Sequence, residues 1–299
     1  MERRLIEPAQ LNAWAAEAVT LAQTGQLPHY IPRLSSANPR RFALHLLTAR
    51  QSHSVGDLSL TFPLMSVIKP FLLLRLLTLG TDIFAKVGME PSEYPFNSLA
   101  QLQADGGRPR NPLINSGAIA LAALLPGQDA ASRCRHLCQW LNGFGCQLYL
   151  DSLMLASVRS VPNPNNQALA QELASAGYVQ DAASALATYN QLCCLSGTIA
   201  DLARLGMLLV QCPSPLYSAH CRTVKALMTT CGLYQASGRF AVEVGLPTKS
   251  GVSGAVLAVI PRSGAIACYS PPLDQAGNSI AGLFLLKKLA LTLDLSIFT

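Results

Sequence analysis

The spacing of apolar and polar residues changes along the chain, and the first part of it mixes helix and strand. An amphipathic segment at residues 11–21 predicts a first helix over about residues 8–23. Short strand-like stretches follow at residues 42–48 and 57–62. The apolar run after them predicts a helix that begins near Ser66 and ends before Gly80.

The middle and the end of the chain have different patterns. Loops rich in Gly, Pro and Asn occupy residues 88–111, and Ala- and Leu-rich helices dominate from there to about Cys231. Strand-like patterns then return, with a Pro-Arg-Ser-Gly turn at residues 261–264 and a closing helix at residues 280–293. The three strand-like stretches of this last part are residues 240–245, 254–260 and 265–269.

Strands and helices near both termini enclose a helical middle, and this order predicts the architecture. Strands that are distant in sequence can join one sheet, which buries one or both faces against helices. The sequence therefore predicts a single α/β (α+β) domain over residues 1–299. In it, an antiparallel sheet is flanked by helices, and a helical lobe is inserted at about residues 85–230.

Composition narrows the class of protein. Half of the 299 residues are apolar, yet no uncharged apolar run approaches the roughly 18 residues of a membrane span. The first residues, 1–4, and the amphipathic segment after them do not form a signal-peptide core. The net charge is +6, but the sequence has no run of four basic residues, so we expect no nucleic-acid binding. The nine cysteines lack a C-x-x-C pair and zinc-ligand spacing, which favours reduced thiols in a cytoplasmic protein.

Candidate chemistry begins with an S-x-x-K element, Ser66 to Lys69. On a helix, residues three positions apart share a face, so the Lys69 ammonium can lie against the Ser66 hydroxyl. A serine hydroxyl is a weak nucleophile until a neighbouring base or cation makes the loss of its proton easier. Joined to the K-S-G triplet at residues 249–251, this element is the signature of active-site serine enzymes of the β-lactamase and penicillin-binding type.

Longer blocks of sequence extend this signature almost from end to end. They are VGMEPS at residues 87–92, PFNS at 95–98, NPLINSGAI at 111–119, CGLY at 231–234 and VGLPTKSGV at 244–252. With these blocks in order, the chain resembles the serine-dependent glutaminases, which share the β-lactamase-like fold. The resemblance therefore implies the β-lactamase/transpeptidase-like form of the predicted architecture.

The resemblance also implies a reaction and the residues that carry it. In that family a serine attacks the side-chain amide of glutamine, ammonia leaves, and water hydrolyses the glutamyl ester. Ser66 matches the nucleophile, and Lys69 would be its proton acceptor or the cation that lowers its pKa. Tyr189 would relay protons, and Tyr234 would assist it or line the pocket. The backbone N–H groups of Ser66 and Val252 would form the oxyanion hole.

Three further residues match family positions that hold the polar end of the substrate: Tyr30, Asn115 and Asn166. The family also has a Ser-Glu pair whose carboxylate binds the α-ammonium of glutamine. Counting back from Asn166 places Arg159 at that carboxylate, and a one-residue gap would place Val158 there instead. Neither residue is acidic, so Arg159 is a candidate contact for an anionic group of the substrate.

This departure leaves three interpretations open. The protein is a glutaminase that meets the α-ammonium by other means, such as Tyr30 or Asp151. Alternatively, it is a related serine amidohydrolase whose substrate lacks a free amine or carries an anion for Arg159. A third possibility is a catalytically idle homologue that acts by binding. Separately, Arg159 could point into solvent, with the loop at residues 157–165 having rebuilt the site.

The expected partners and cofactors follow from the same chemistry. Serine acyl transfer needs no metal or organic cofactor, and the sequence has no cluster of metal ligands. We expect a small-molecule amide as substrate and no membrane partner. By resemblance, we also expect a homo-oligomer, either a dimer or a tetramer.

Overall fold

Two antiparallel sheets and the helices around them make up the computed structural model of the protein, which describes residues 6–298. The strands are β1 Ala43–Thr48, β2 Ser52–Gly56, β3 Thr61–Pro63, β4 Tyr149–Leu150, β5 Leu195–Thr198, β6 Thr248–Ser250, β7 Ala255–Ile260 and β8 Gly264–Tyr269. The helices are α1 Pro8–Ala22, α2 Pro32–Ser35, α3 Lys69–Thr78, α4 Leu99–Ala104, α5 Asn115–Ala122, α6 Ala130–Asn142, α7 Ser152–Arg159, α8 Pro164–Ser175, α9 Ala182–Cys193, α10 Ile199–Gln211, α11 Ser218–Cys231, α12 Ser237–Glu243 and α13 Ile280–Leu293. The predicted absence of a signal peptide concerns residues 1–4, which lie outside the described residues.

The larger sheet joins strands from the two ends of the chain. Its order is β2-β1-β8-β7-β6, and all neighbouring pairs are antiparallel. Tyr269 of β8 stands opposite both Ala43 of β1 and Ala255 of β7, so β8 forms the centre of the sheet. The predicted antiparallel sheet of early and late strands is confirmed.

Both faces of this sheet are covered, which explains its continuous apolar strands. Every residue of β7 and β8 is buried. Successive side chains of a strand point to opposite faces, so Leu257 and Val256 belong to different layers. Leu257 packs in the core that includes α10, and Val256 packs in the core that includes α1 and α13.

The smaller sheet lies beside a second set of helices. Its order is β3-β5-β4, and helices α5, α6, α8 and α9 pack against one another beside it. Helix α10 lies within the predicted lobe span of residues 85–230 but packs on β8 and β7 of the larger sheet. The single domain and the bounds of its lobe stay a prediction.

Local predictions were right where the pattern was long. The helices predicted at residues 8–23 and 280–293 correspond to α1 and α13, and the strands at 254–260 and 265–269 correspond to β7 and β8. The predicted turn between these strands is present, and Arg262 in it has a left-handed φ of 61°.

Two predicted strands were wrong or displaced. Residues 240–245 lie mostly in helix α12, because Phe240 and Val244 are buried one helical turn apart while Val242 is 89% exposed. The stretch 57–62 is mainly a turn between β2 and β3. There the Asp57 carboxylate accepts hydrogen bonds from the backbone N–H and the hydroxyl of Ser59.

The expectation that all cysteines are reduced was also wrong in the structure. Cys212, at the end of α10, and Cys221, in α11, form a disulfide with a Cα–Cα distance of 6.4 Å. That separation lies within the usual range for a disulfide. The two cysteines are nine residues apart and so do not form a C-x-x-C pair. The short connection between α10 and α11 brings their thiols together. The remaining seven cysteines are free thiols, and most of them are buried.

Candidate active site

Ser66 lies in the short connection between strand β3 and helix α3. A 3₁₀ turn, Met65–Ile68, follows β3 and runs directly into α3. The Leu64 N–H donates to the Leu195 carbonyl at 2.8 Å, which ties this turn to β5. Met65 is buried with a left-handed φ of 46°, a conformation that costs about 1–3 kcal/mol in a non-glycine residue. The predicted position of Ser66 at a helix start is confirmed.

Lys69 is a buried cation one turn beyond Ser66. Its side chain is 1% exposed, and its Nζ donates to Asn115 Oδ1 at 2.8 Å and to the Leu113 carbonyl at 3.2 Å. Burial lowers the pKa of Lys69 to about 8. With that pKa, about a tenth of the molecules carry a neutral Lys69 at pH 7, and the neutral amine can accept a proton.

Asn115 joins the predicted site residues into one network. Its Oδ1 accepts from both Lys69 and the Tyr189 hydroxyl, the latter at 2.9 Å. Its Nδ2 donates to Asn166 Oδ1 at 2.9 Å. Because protonated Lys69 can only donate, it fixes which end of the Asn115 amide faces it. Helices α3, α5, α8 and α9 each contribute one residue to this network.

Tyr189 is a buried phenol that faces the same network. It lies on α9, is 5% exposed, and its ring centroid is 5.5 Å from Lys69 Nζ. Burial raises the pKa of Tyr189 well above its ordinary value. Tyr189 therefore keeps its proton at neutral pH and can donate it.

Tyr234 approaches Ser66 from another side. It is 8% exposed, has a left-handed φ of 57°, and its ring lies 4.7 Å from that of Phe96 between centroids. Burial raises the pKa of Tyr234 to about 12, and the adjacent hydroxyls of Ser66 and Ser250 act in the opposite direction. The phenol of Tyr234 therefore lies beside Ser66 as a neutral hydroxyl.

The K-S-G triplet contacts Tyr234 through Lys249. Lys249 is fully buried, lies 4.6 Å from the Tyr234 ring centroid, and donates to the carbonyls of Gly232 at 3.0 Å and Ser250 at 2.6 Å. Burial first, and repulsion from Lys69 second, hold the pKa of Lys249 well below its usual value. The Ser250 hydroxyl donates to Asn278 Oδ1 at 2.6 Å. The K-S-G triplet was recognisable in the sequence, but its contacts with Tyr234 and Asn278 were not predicted.

The turn after the triplet places Val252 near the nucleophile. Gly251 N–H donates to the Ala255 carbonyl at 2.8 Å, and Gly254 N–H donates to the Gly251 carbonyl at 2.9 Å. A Cβ on Gly251 would lie 2.6 Å from the Leu64 carbonyl oxygen, so only glycine lets this turn pack so closely against the backbone of Leu64. Val252 and Ser66 consequently line the same cavity.

That cavity has a volume of about 350 Å³ and brings most of the predicted residues together. Lys69 and Tyr234 do not line it, but each contacts a residue that does. Tyr30 stands at its edge with 45% of its surface exposed. The predicted residues in its wall are Tyr30, Ser66, Asn115, Asn166, Tyr189 and Val252.

Arg159 is not part of this wall. It is the last residue of α7 and is exposed, whereas the preceding Val158 lines the cavity. The buried Ser157 hydroxyl accepts a hydrogen bond from the Arg33 N–H at 3.0 Å, which fixes the orientation of the end of α7. Of the two positions that counting left open, the structure places Val158 at the cavity and Arg159 in solvent.

Sequence reasoning missed most of the remaining wall. Its apolar part includes Ile31, Phe96, Val161 and Pro162, and Cys193 lies beside Tyr189. No acidic or basic side chain is found among the described residues that line the cavity. The same residues 6–298 contain no group of three or more His, Cys, Asp or Glu side chains that could hold a metal ion.

The fold and site together define a protein class. An antiparallel sheet covered by helices, with a buried Ser-x-x-Lys element at the start of a helix and a K-S-G strand beside it, is β-lactamase-like. Over residues 6–298, no helix is long and apolar enough to span a membrane.

Comparison with known proteins identifies the family within that class. The family model described as Glutaminase matches residues 25–298. A curated glutaminase of Synechocystis sp. is 49% identical over 96% of this chain and 90% of its own length. A glutaminase of Klebsiella pneumoniae is 36% identical over 98% of this chain and 99% of its own length. The chain belongs to the glutaminase family, whose members are amidohydrolases that act on a linear amide.

Solved structures agree with this assignment. The probable glutaminase ybaS has a TM-score of 0.89 and 33% identity, with 98% of this chain and all of that chain covered. A probable glutaminase from Bacillus subtilis complexed with 6-diazo-5-oxo-L-norleucine has a TM-score of 0.87 and 28% identity, with 100% of this chain and 98% of that chain covered.

Proposed function

We propose that this glutaminase-family enzyme hydrolyses the side-chain amide of L-glutamine to L-glutamate and ammonia through an ester on Ser66. One observation supports this proposal above the others. Ser66 lines a neutral cavity, and Lys69 and Tyr189 both donate to Asn115 in the wall of that cavity. A nucleophile, a proton acceptor and a proton donor are the groups that amide hydrolysis requires.

The first half of the reaction forms the ester. Ser66 Oγ attacks the amide carbon while its proton passes to neutral Lys69. The carbonyl oxygen becomes an oxyanion, and we assign the backbone N–H groups of Ser66 and Val252 as its donors. The C–N bond then breaks as the leaving nitrogen receives a proton from Tyr189, which is restored from Lys69. Ammonia leaves and the glutamyl group stays on Ser66.

The second half reverses these roles with water. A water molecule replaces ammonia and gives a proton to the Lys69–Tyr189 pair as its oxygen attacks the ester carbon. When the ester C–O bond breaks, Ser66 Oγ takes that proton back and L-glutamate leaves. Lys69 returns to its neutral form, so the cycle balances in protons and needs no further reactant.

The deciding experiment measures ammonia release from glutamine by the purified protein and by Ser66→Ala, Lys69→Ala and the double variant. Each single variant should abolish release, and the double variant should lose little more, because residues that act as one unit are non-additive. Tyr189→Phe should slow turnover with little change in KM. Undiminished release by Ser66→Ala would end the proposal.

A second candidate substrate is favoured by the absence of charged side chains in the described cavity wall. A glutamine whose α-amine is acylated carries no ammonium that needs a carboxylate partner. Ammonia release should therefore be compared for glutamine, asparagine and N-acetylglutamine. Preference for N-acetylglutamine would support this candidate, and release from none of the amides would support the idle homologue.

We also propose that the enzyme works in the cytoplasm as a dimer or tetramer. Four large apolar side chains are exposed on α12, on α13 and just after α13, namely Val242, Leu291, Ile297 and Phe298. Exposed apolar residues that cluster can mark contacts between subunits. Sedimentation velocity of the purified protein tests the assembly, and a monomer at micromolar concentration would contradict it.

A further inference from the structure

One residue in the wall of the cavity carries a nucleophile that the proposed mechanism does not use. Cys193 lines the same cavity as Ser66, and 8% of its surface is exposed. It is the last residue of α9, one helical turn after Tyr189, so both side chains lie on the face of α9 that borders the cavity. A ligand that fills the cavity therefore contacts this thiol.

Its position sets Cys193 apart from the other free thiols. Within residues 6–298, none of the other six lines the cavity: Cys134, Cys138, Cys146, Cys194, Cys231 and Cys268. Cys138 is the useful comparison, because it is half-buried and more exposed than Cys193, and its thiol donates to the Leu148 carbonyl at 3.2 Å. A reagent that follows general exposure would modify Cys138 first, whereas a reagent that follows the cavity would modify Cys193 first.

A second group in the cavity wall has an unused hydrogen-bond donor. Asn166 is 6% exposed, and its Oδ1 accepts from Asn115 Nδ2 at 2.9 Å. Its Nδ2 donates to none of the described residues, although Asn166 lines the cavity. An amide donor without a partner in a buried site is unfavourable, so a ligand carbonyl that accepts from it is stabilised. The cavity thus offers an amide N–H to a ligand that also reaches Cys193.

The chemistry of the thiol determines which reagents it can take. Burial raises the pKa of the Cys193 thiol, and the Lys69 amine acts in the opposite direction. The reactive thiolate is therefore a minor form near neutral pH, and it reacts as it is replenished. The cavity wall described above has no charged side chain, so an uncharged electrophile enters it without the loss of hydration that a charged one would suffer.

Iodoacetamide is such an electrophile, and it carries a carboxamide. The thiolate sulfur displaces iodide from its methylene carbon, so that a C–S bond forms as the C–I bond breaks. Iodide leaves, and the proton of the thiol goes to the buffer. The step needs no further reactant, and the carboxamidomethyl group on Cys193 then projects into the cavity.

We propose that Cys193 is a covalent modification site in the cavity that Ser66 lines, and that it takes small uncharged electrophiles bearing an amide group. Modification fills part of the cavity and blocks the access of glutamine to Ser66. The alkylation of Cys193 does not depend on the proposed role of Ser66, whereas the loss of glutamine hydrolysis that it causes rests on the proposed function.

The test treats the folded protein with iodoacetamide at mildly alkaline pH, without reductant, and follows each cysteine by peptide mass spectrometry. Cys193 should be modified before Cys138. L-Glutamate at about ten times its Kd should slow the modification of Cys193 by about tenfold, because an occupied cavity excludes the reagent. It should not slow the modification of Cys138.

Ammonia release from glutamine is measured in parallel, with each variant compared with its own untreated sample. The unmodified enzyme and Cys138→Ser, the matched control, should both lose activity in step with the modification of Cys193. Cys193→Ser should keep its own initial rate under the same treatment, because serine is not alkylated by this reagent. Ser66→Ala should release no ammonia and should still be modified at Cys193.

Three results would overturn the inference. Cys138 is modified ahead of Cys193, or Cys193→Ser is inactivated as fast as the unmodified enzyme, or L-glutamate gives no protection to an enzyme that hydrolyses glutamine. Failure of the proposed function looks different, because the untreated, unmodified enzyme then releases no ammonia or Ser66→Ala remains active. In that case, the order in which Cys193 and Cys138 are modified still decides the inference.

Discussion

At the scale of single residues, the electrostatics of the site depend on two buried amines. Lys69 and Lys249 are 1% and 0% exposed, and none of the ion pairs found within residues 6–298 involves either of them. Their hydrogen bonds go to carbonyl and amide oxygens instead. A buried amine without a counter-ion is easily deprotonated, and it attracts negative charge that appears nearby.

The lowered pKa of Lys69 predicts how activity changes with pH. If Lys69 accepts the Ser66 proton, it must be neutral, and it is neutral above its pKa of about 8. The value of kcat/KM should thus rise through pH 8 and fall by about tenfold for each pH unit below it. Ammonia release measured between pH 6 and pH 9.5 checks this. A flat profile would instead favour Lys69 as a permanent cation that lowers the pKa of Ser66.

The position of Val158 predicts a gain of function. Val158 lines the cavity and Arg159 does not, so only Val158→Glu brings a carboxylate to the substrate. A charge-assisted contact is worth about 1.5–3 kcal/mol, so KM for glutamine should fall by about tenfold or more, and KM for N-acetylglutamine should not fall. Arg159→Glu is the matched control and should change neither. An equal effect of both variants on glutamine would show that the effect is long-range.

At the scale of elements, close packing between α10 and the larger sheet supports the site indirectly. A Cβ on Gly206 of α10 would collide with the Ala265 Cβ of β8 and lie 2.9 Å from Leu257 Cδ1 of β7. Glycine at this position lets the helix approach the sheet, and β5, which precedes α10, holds Leu64 two residues before Ser66. The distance between α10 and the larger sheet therefore influences the position of Ser66 through β5 and Leu64.

Replacement of Gly206 should therefore be costly. Gly206→Ala forces the helix away from the sheet and should lower the free energy of unfolding by about 1–3 kcal/mol. Gly238→Ala in α12 is the control, since a Cβ there meets no atom within 4 Å. It should raise the free energy of unfolding by about 0.5–1 kcal/mol through helix propensity. Urea unfolding measures both, and a Gly206→Ala protein as stable as the unmodified one would contradict this packing.

How far the sequence predicts this molecule depends on the range of the interactions. The start of a helix at Ser66 is decided by neighbouring residues, so the local sequence pattern was sufficient to predict it. The choice between Val158 and Arg159 depended on the length of a loop, which one sequence does not specify. Asn278 reaches Ser250 across 28 residues, and no local pattern announces that hydrogen bond. The helix at 237–243 was missed because a short segment with buried Phe240 fits either period.

At the scale of the whole molecule, the disulfide between α10 and α11 ties together two helices that pack on different neighbours. Helix α10 packs on the larger sheet, and α11 packs on α3 and α12. A cross-link between such helices restricts the unfolded chain more than the folded one. It is also the feature of the fold that is least expected in a reducing compartment.

Alkylation without reductant tests this disulfide. Intact-mass spectrometry of the unfolded, alkylated protein should show seven modified thiols, and prior reduction should give nine. Cys221→Ser should lower the free energy of unfolding by about 2–3 kcal/mol, as expected for a short closed loop. Cys138→Ser, which removes a free thiol, is the control. Nine modified thiols without reductant would restore the expectation of a fully reduced protein.

The uncharged wall of the cavity has a consequence for how substrate arrives. Fixed charges in a cleft raise the encounter rate of a charged ligand, and dissolved salt screens that attraction. Glutamine carries one positive and one negative group, and the described wall of this cavity offers neither sign to either. Capture of the substrate then depends on diffusion and on short-range contacts. The value of kcat/KM for glutamine should therefore be about the same at low and at high salt concentration.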